Sequence, residues 1–135
     1  MLRKNAKIEL ISRVPLFAGC SKRELGEVAS LADELAMPAG RKLTSEGASG
    51  HEFVVLVDGG AEVKRGGRLL ARLGPGDFLG EISLITGQKR TATVTTTAPS
   101  RLLVVSAPAF RTLLRNLPSL QLKVLEAVAA RLSTE

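Results

Sequence analysis

From Leu35 onward the apolar residues come in short runs, each closed by turn-forming residues. The closures are Pro38-Ala39-Gly40, Glu46-Gly47, Asp58-Gly59-Gly60, Gly66-Gly67 and Gly74-Pro75-Gly76-Asp77. Punctuation at this spacing predicts an all-β sandwich or barrel. Between the turns, Phe53 to Val57, Ala61 to Lys64, Leu69 to Leu73, Thr91 to Thr97 and Arg101 to Val105 read as strands of about five residues.

Helical periodicity brackets this β region. Lys4 to Ile11 carries Ile8 and Ile11 with Leu10 beside them, a weak helical pattern that ends near Arg13-Val14-Pro15. Ser21-Lys22-Arg23-Glu24 has the form of a capping box, in which a Ser hydroxyl and a Glu side chain satisfy each other's free backbone N–H groups. It predicts a short helix to about Ser30, with Leu25, Val28 and Ala29 on one face. Ser106 caps a further helix from Ala107-Pro108 to about Asn116, and Pro118 stops it and starts another. In that last segment Leu122, Leu125, Val128, Ala129 and Leu132 recur at helical spacing, predicting an amphipathic helix. The expected order is helix, eight or so strands, helix, helix. It forms one domain over residues 1–135, divided into an N-terminal helical region (residues 1–31), a β region (residues 32–106) and C-terminal helices (residues 107–135).

The chain of 135 residues is 44% hydrophobic and 24% charged, which suits a folded domain rather than a disordered one. No run approaches the roughly 18 to 20 apolar residues of a membrane helix, and the first residues lead into no signal-peptide core, so a cytoplasmic location is expected. Nineteen Lys and Arg against thirteen Asp and Glu favour anionic partners without choosing one. The basic residues are scattered, and with four Phe, no Trp and no Tyr there is little aromatic surface for stacking bases. Cys20 is the only cysteine and His51 the only histidine, so neither an intrachain disulfide nor an imidazole metal cluster can be built. With no nucleophile and base in a recognisable pairing, no enzyme activity and no cofactor are expected.

The candidate chemistry lies in Leu73-Gly74-Pro75-Gly76-Asp77-Phe78-Leu79-Gly80-Glu81-Ile82-Ser83-Leu84-Ile85-Thr86-Gly87-Gln88-Lys89-Arg90-Thr91-Ala92-Thr93-Val94. After the glycine-rich turn, Gly80 to Ile85 can open a short helix whose first amides lack internal partners and attract an anion. Arg90 stands where the chain returns to a strand, so its guanidinium can fold back onto the same anion with paired hydrogen bonds. Glu81, at the helix start, accepts hydrogen bonds but repels phosphate. Its natural partner is therefore a neutral hydroxyl beside the anion, such as a ribose 2′-OH.

These residues resemble the cyclic-nucleotide-binding domain family, which includes protein kinase A regulatory subunits, gated ion channels and the catabolite activator protein. The resemblance covers nearly the whole chain. It centres on Gly80-Glu81-Ile82-Ser83-Leu84 followed by Arg90-Thr91-Ala92, the family's phosphate-binding cassette, here residues 79–92. Val14-Pro15-Leu16-Phe17, Glu46-Gly47 with Gly50, and the Leu73–Phe78 turn recur in the family's order. Lys89 stands where many members have Pro, and Leu79 where many have Phe, but neither departure removes a ligand group.

The resemblance implies a mainly β fold, an eight-stranded β-roll (a double-stranded β-helix or jelly roll) with N-terminal and C-terminal helices. It implies a cAMP or cGMP sensor in which Glu81 binds the ribose 2′-hydroxyl and Arg90 the exocyclic phosphate oxygens. Gly80 and the amides of Ile82 and Ser83 would cradle the phosphate. Thr91 either adds a hydroxyl to the phosphate or a guanine contact, or is simply a β-branched strand residue. The base would rest against Val63, Leu70 and Leu73, which core packing explains equally well, with the C-terminal helix as a lid. A metal is not expected. The expected partners are the small cyclic nucleotide and an unidentified effector protein, without a membrane span. Family transcription factors carry a helix-turn-helix after the C-terminal helix, and the chain stops at Glu135, so direct sequence-specific DNA binding is not expected. Two alternatives remain: Glu81 and Arg90 pair with each other in an empty loop, or the roll is a nucleotide-independent scaffold for a protein partner.

Overall fold

The computed structural model describes residues 2–133. Helix α1 (Leu2–Ser12), a 3-10 turn at Pro15–Phe17 and helix α2 (Lys22–Leu31) come first. Strands β1 (Asp33–Met37), β2 (Lys42–Thr44), β3 (Glu52–Asp58), β4 (Ala61–Arg65), β5 (Arg68–Leu73) and β6 (Phe78–Leu79) follow. Helix α3 (Glu81–Thr86) interrupts the strands before β7 (Thr93–Thr96) and β8 (Ser100–Ser106). Helices α4 (Ala107–Asn116) and α5 (Pro118–Ser133) close the order. The strands form two four-stranded antiparallel sheets, ordered β1-β8-β3-β6 and β2-β7-β4-β5. This is the eight-stranded roll.

The run Phe53-Val54-Val55-Leu56 in β3 explains how the two layers share a core. Successive side chains on a strand point to opposite faces. Val54 and Leu56 face the second sheet with Ala61, Leu79, Val94, Leu102 and Val104. Phe53 and Val55 face the helices with Leu103, Val105, Phe110, Leu113, Leu117 and Leu120. Strand β8, paired with β3, divides Leu102 and Val104 from Leu103 and Val105 in the same way. Both strands are buried on two sides and so read as continuous apolar runs. Phe53 stacks on Phe110 of α4 at 4.5 Å between ring centroids, which fixes the helices against the first sheet.

Local signals set the helix boundaries. Ser21 Oγ accepts from the Glu24 N–H at 3.2 Å and the Glu24 carboxylate accepts from the Ser21 N–H at 2.7 Å, completing the capping box. Ser106 Oγ accepts from the Ala109 N–H and caps α4.

The C-terminal helix forms where periodicity places it, but of the expected stripe only Val128 is seen in the core. Leu117, Leu120, Val124 and Val128 enter the core, whereas Leu122 and Leu125 are 60% and 64% exposed. Ala129 is exposed too, and the side chain of Leu132 lies outside the described residues. Both stripes of α5 are apolar, so composition could not rank them; the kink at Leu117-Pro118 decides which one meets the sheet. Among the described residues no helix is long and apolar enough to cross a membrane.

Leu120→Ala removes an α5 side chain from the helix-side core and is expected to cost about 2–5 kcal/mol, read from the midpoint of urea unfolding. Leu122→Ala is expected to stay within about 0.5 kcal/mol of the parent. Equal losses would contradict this division of α5.

Candidate ligand cavity

The turn at Gly74-Pro75-Gly76-Asp77 is tied to β3 before the cassette begins. The Asp77 carboxylate accepts from the Gly74 N–H at 2.8 Å. The Gly76 N–H donates to the Leu56 carbonyl at 2.7 Å, and the Leu56 N–H donates to the Asp77 carbonyl at 2.8 Å. Strand β6 then pairs with β3 through Leu79 and Phe78. At Gly80 the backbone turns left-handed, with φ +101°. A β-carbon there would stand 2.5 Å from the Glu52 carbonyl and 2.9 Å from Arg90 Nη1, so the position takes no side chain. Helix α3 starts at once with Glu81, and the amides of its first turn have no helical carbonyl to bond.

The far end of the cassette is held against the segment that precedes β3. The Arg90 N–H donates to the Ala48 carbonyl and the Gly47 N–H to the Arg90 carbonyl, both at 2.8 Å. Arg90 Nη2 donates to the Glu52 carbonyl at 2.7 Å. Gly50 lies beneath this side chain: a β-carbon would come within 2.8 Å of Arg90 Cζ and 2.6 Å of Ser83 Cβ. Gly50, just before β3, therefore leaves the space in which the Arg90 guanidinium lies.

Glu81 has no exposed surface. Burial pushes its carboxyl above the ordinary range, opposed first by the Arg131 guanidinium and more weakly by Arg90. Arg131 reaches it from α5. Its Nη1 donates to Oε1 at 2.7 Å and to Oε2 at 2.6 Å, its Nη2 donates to the Phe78 carbonyl, and the guanidinium lies 5.4 Å from the Phe78 ring centroid. Burial lowers the Arg90 pKa from its ordinary value, and the charges of Glu81 and Glu52 oppose that shift. Of the two alternatives, a direct pairing of Glu81 with Arg90 does not form: each bonds a different protein group.

A cavity of about 340 Å³ opens between α3, the second sheet and α5. Gly80, Glu81, Ile82, Ser83, Arg90 and Thr91 all line it, and Val63, Leu70 and Leu73 form part of its apolar wall. All nine residues singled out in the sequence therefore share one cavity. Arg65 and Arg131 also line it, and sequence reasoning missed both. Arg65 Nε donates to the Thr91 carbonyl at 2.9 Å, bridging β4 to the cassette. Arg65, Arg90 and Arg131 against Glu81 give the walls an excess of positive charge, which suits a small anion with an apolar part. His51 is exposed, and Cys20 is half-buried with Sγ 3.8 Å from Ser119 Oγ. Among the described residues no group of three or more His, Cys, Asp or Glu is placed to hold a metal ion.

Comparison with known proteins finds relatives of this fold. The family model described as "Cyclic nucleotide-binding domain" matches residues 34–116. The chain is 31% identical over 108 residues to a cAMP-dependent protein kinase regulatory subunit of Schizosaccharomyces pombe, covering 79% of this chain and 26% of that protein. It superposes on the Catabolite Activator Protein of Thermus thermophilus with a TM-score of 0.79 and 29% identity, covering 89% of this chain and 59% of the other. A regulatory subunit of a cAMP-independent protein kinase A from Trypanosoma brucei shares the fold, with a TM-score of 0.80 at 17% identity, covering 99% of this chain and 48% of the other. The chain thus spans less than two thirds of each of these proteins.

Two glycine substitutions test the cassette geometry by opposite signs. Gly80→Ala meets both the left-handed backbone and the Glu52 carbonyl, and is expected to cost at least about 1–3 kcal/mol in thermal unfolding. Gly26→Ala on α2, where a β-carbon meets nothing within 4 Å, is expected to stabilise by about 0.5–1 kcal/mol. A neutral Gly80→Ala would contradict the close approach.

Proposed function

This chain belongs to the cyclic nucleotide-binding domain family, and we propose that it is a regulatory sensor whose cavity takes cAMP, with cGMP as the other candidate. The observation that carries the reading is the pairing of unlike groups on one wall: a fully buried carboxylate at Glu81 and a guanidinium at Arg90. A cyclic nucleotide presents a ribose hydroxyl beside a singly charged phosphate, which matches an acceptor next to a donor.

In this reading Arg90 carries the phosphate. Its Nη2 is engaged by the Glu52 carbonyl, and a guanidinium has five N–H groups in a rigid fork, so the fork is held in place while other donors serve the exocyclic oxygens. The amides of Ile82 and Ser83 add donors at the start of α3, and Gly80 lets the backbone approach. Glu81 accepts the 2′-OH. Val63, Leu70 and Leu73 supply an apolar rest for the base, and Thr91 stands at the phosphate end. Ligand capture would draw the cassette inward and shift the population of positions that α4 and α5 take against the roll, passing the signal to an effector protein.

A second reading keeps the fold as a scaffold for a protein partner, without nucleotide. It is favoured by one observation: Glu81 and Arg90 each already hold a protein group, Arg131 and the Glu52 carbonyl, so the cassette is electrostatically satisfied by the chain itself.

Isothermal titration of the chain, unfolded and refolded to strip co-purified nucleotide, separates the readings. Micromolar or tighter binding of cAMP or cGMP is expected, and the absence of heat and of thermal shift with both would leave the scaffold. Arg90→Ala is expected to lose roughly 2–5 kcal/mol of binding, on the order of 30-fold to several thousand-fold in affinity. Unchanged affinity would remove Arg90 from the phosphate.

A further inference from the structure

The strands line the cavity with apolar side chains and one cation. Among the described residues, Arg65 of β4 is the one charged side chain that the strands contribute, beside Val63, Leu70, Ala71 and Leu73. We propose that Arg65 is a specificity-determining residue that reads the edge of the purine and favours guanine over adenine. The proposal rests on reading the cavity as a cyclic-nucleotide site and chooses between the two nucleotides which that reading admits.

The strand sets the position of Arg65. Val63 and Arg65 alternate along β4, and residues at that spacing share a face. Val63 belongs to the apolar wall, so Arg65 stands one step farther along it, toward the hairpin turn at Gly66-Gly67. Strand β4 pairs with β7 through Val63 opposite Val94 and Lys64 opposite Thr93, which brings the end of β4 alongside the close of the cassette. There Arg65 Nε donates to the Thr91 carbonyl at 2.9 Å.

The surroundings of the side chain are tied as well. The Gly66 N–H donates to the Glu46 carboxylate at 2.9 Å, and the Glu46 N–H donates to Thr93 Oγ1 at 3.0 Å. A guanidinium is planar, so the bond from Nε fixes the plane in which the Nη donors stand. Anchoring of this kind lowers the cost of ordering the side chain when a ligand arrives.

A purine that lies flat against Val63, Leu70 and Leu73 covers the wall with its face and carries its polar atoms on its edges. Guanine has two neighbouring acceptors on one edge, O6 and N7, whereas adenine has N7 beside an N6 amino group, which is a donor. Two parallel N–H groups match the guanine edge, and on adenine one of them meets another donor. In the proposed reading Arg90 serves the phosphate, and Arg131 bonds Glu81. Arg65 is the arginine that adjoins Val63 on the apolar wall.

The test is titration calorimetry of the whole chain with cGMP, cAMP, cyclic inosine monophosphate and 7-deaza-cGMP. The parent is expected to bind cGMP roughly 5- to 150-fold more tightly than cAMP, the range for one bidentate contact to guanine. Cyclic inosine monophosphate keeps O6 and N7 without the 2-amino group and is expected within about 3-fold of cGMP. The 7-deaza analogue lacks the N7 acceptor and is expected to bind more weakly than cGMP. Arg65→Ala is expected to bring the ratio of cGMP to cAMP affinity within about 3-fold, and Arg65→Lys, a point charge without the fork, to restore part of it. The ratio cancels any loss that both nucleotides share through the Thr91 carbonyl.

A parent that binds cAMP as tightly as cGMP, or more tightly, overturns the proposal and leaves the sensor reading intact. A folded Arg65→Ala protein that keeps the parent ratio does the same. So does cyclic inosine monophosphate that binds no better than cAMP, because the 2-amino group is then the feature being read, or 7-deaza-cGMP that binds as well as cGMP. If Arg65→Ala does not fold, Arg65→Lys decides: a ratio equal to the parent's overturns the proposal. A parent that binds no cyclic nucleotide overturns both.

Discussion

The site depends on one constraint: a carboxylate with no access to water must find its partners inside the protein. An ionised group in that position is costly unless paired and hydrogen-bonded, and Glu81 is paired by a residue from the last helix. That requirement reaches back through the chain. Arg131 can meet Glu81 only if α5 lies across the helix-side core, and α5 lies there because Leu120, Val124 and Val128, with Leu117 just ahead of them, join the core of Phe53, Val55 and Phe110. The polar site and the apolar core are two ends of one packing arrangement.

Strands β3 and β8 make this possible. Each serves two cores, one toward the second sheet and one toward the helices, so the position of the helices and the shape of the cavity are referred to the same two strands. Strand β3 also supplies the Glu52 carbonyl, which holds Arg90 and leaves no room for a side chain at Gly80. The cassette is thus fixed at one end by backbone and at the other by a helix.

The legible stretches of the chain were those where the signal is local. The turn glycines mark the ends of β3, β4 and β5, and the capping box of Ser21 and Glu24 marks the start of α2 to the residue. The cassette was legible because Gly80, Glu81 and Arg90 stand within one short stretch of the chain. Strand β1 gave no alternation to read, since Asp33 to Leu35 and Ala36 all lie exposed, and β2 and β6 are too short to show a period. The face of α5 was misread because both of its stripes are apolar. Arg131 was missed although one trace of it was present: it falls seven residues after Val124 and three after Val128, a charge on the stripe that is buried. A cation at such a position implies a buried anion opposite, but only the folded chain shows that the anion is Glu81.

The most direct measurement of the central claim follows the arginine side-chain N–H resonances of the isotope-labelled chain by NMR as cAMP is added. The Arg90 signal, identified by its loss in Arg90→Lys, is predicted to move to a new position at saturation, because its guanidinium acquires a phosphate beside the Glu52 carbonyl. Arg13, which pairs with Glu9 on the surface of α1, serves as the unmoved reference. An Arg90 resonance that stays in place at saturating ligand would contradict the account, since no cyclic nucleotide could then be held by this cassette.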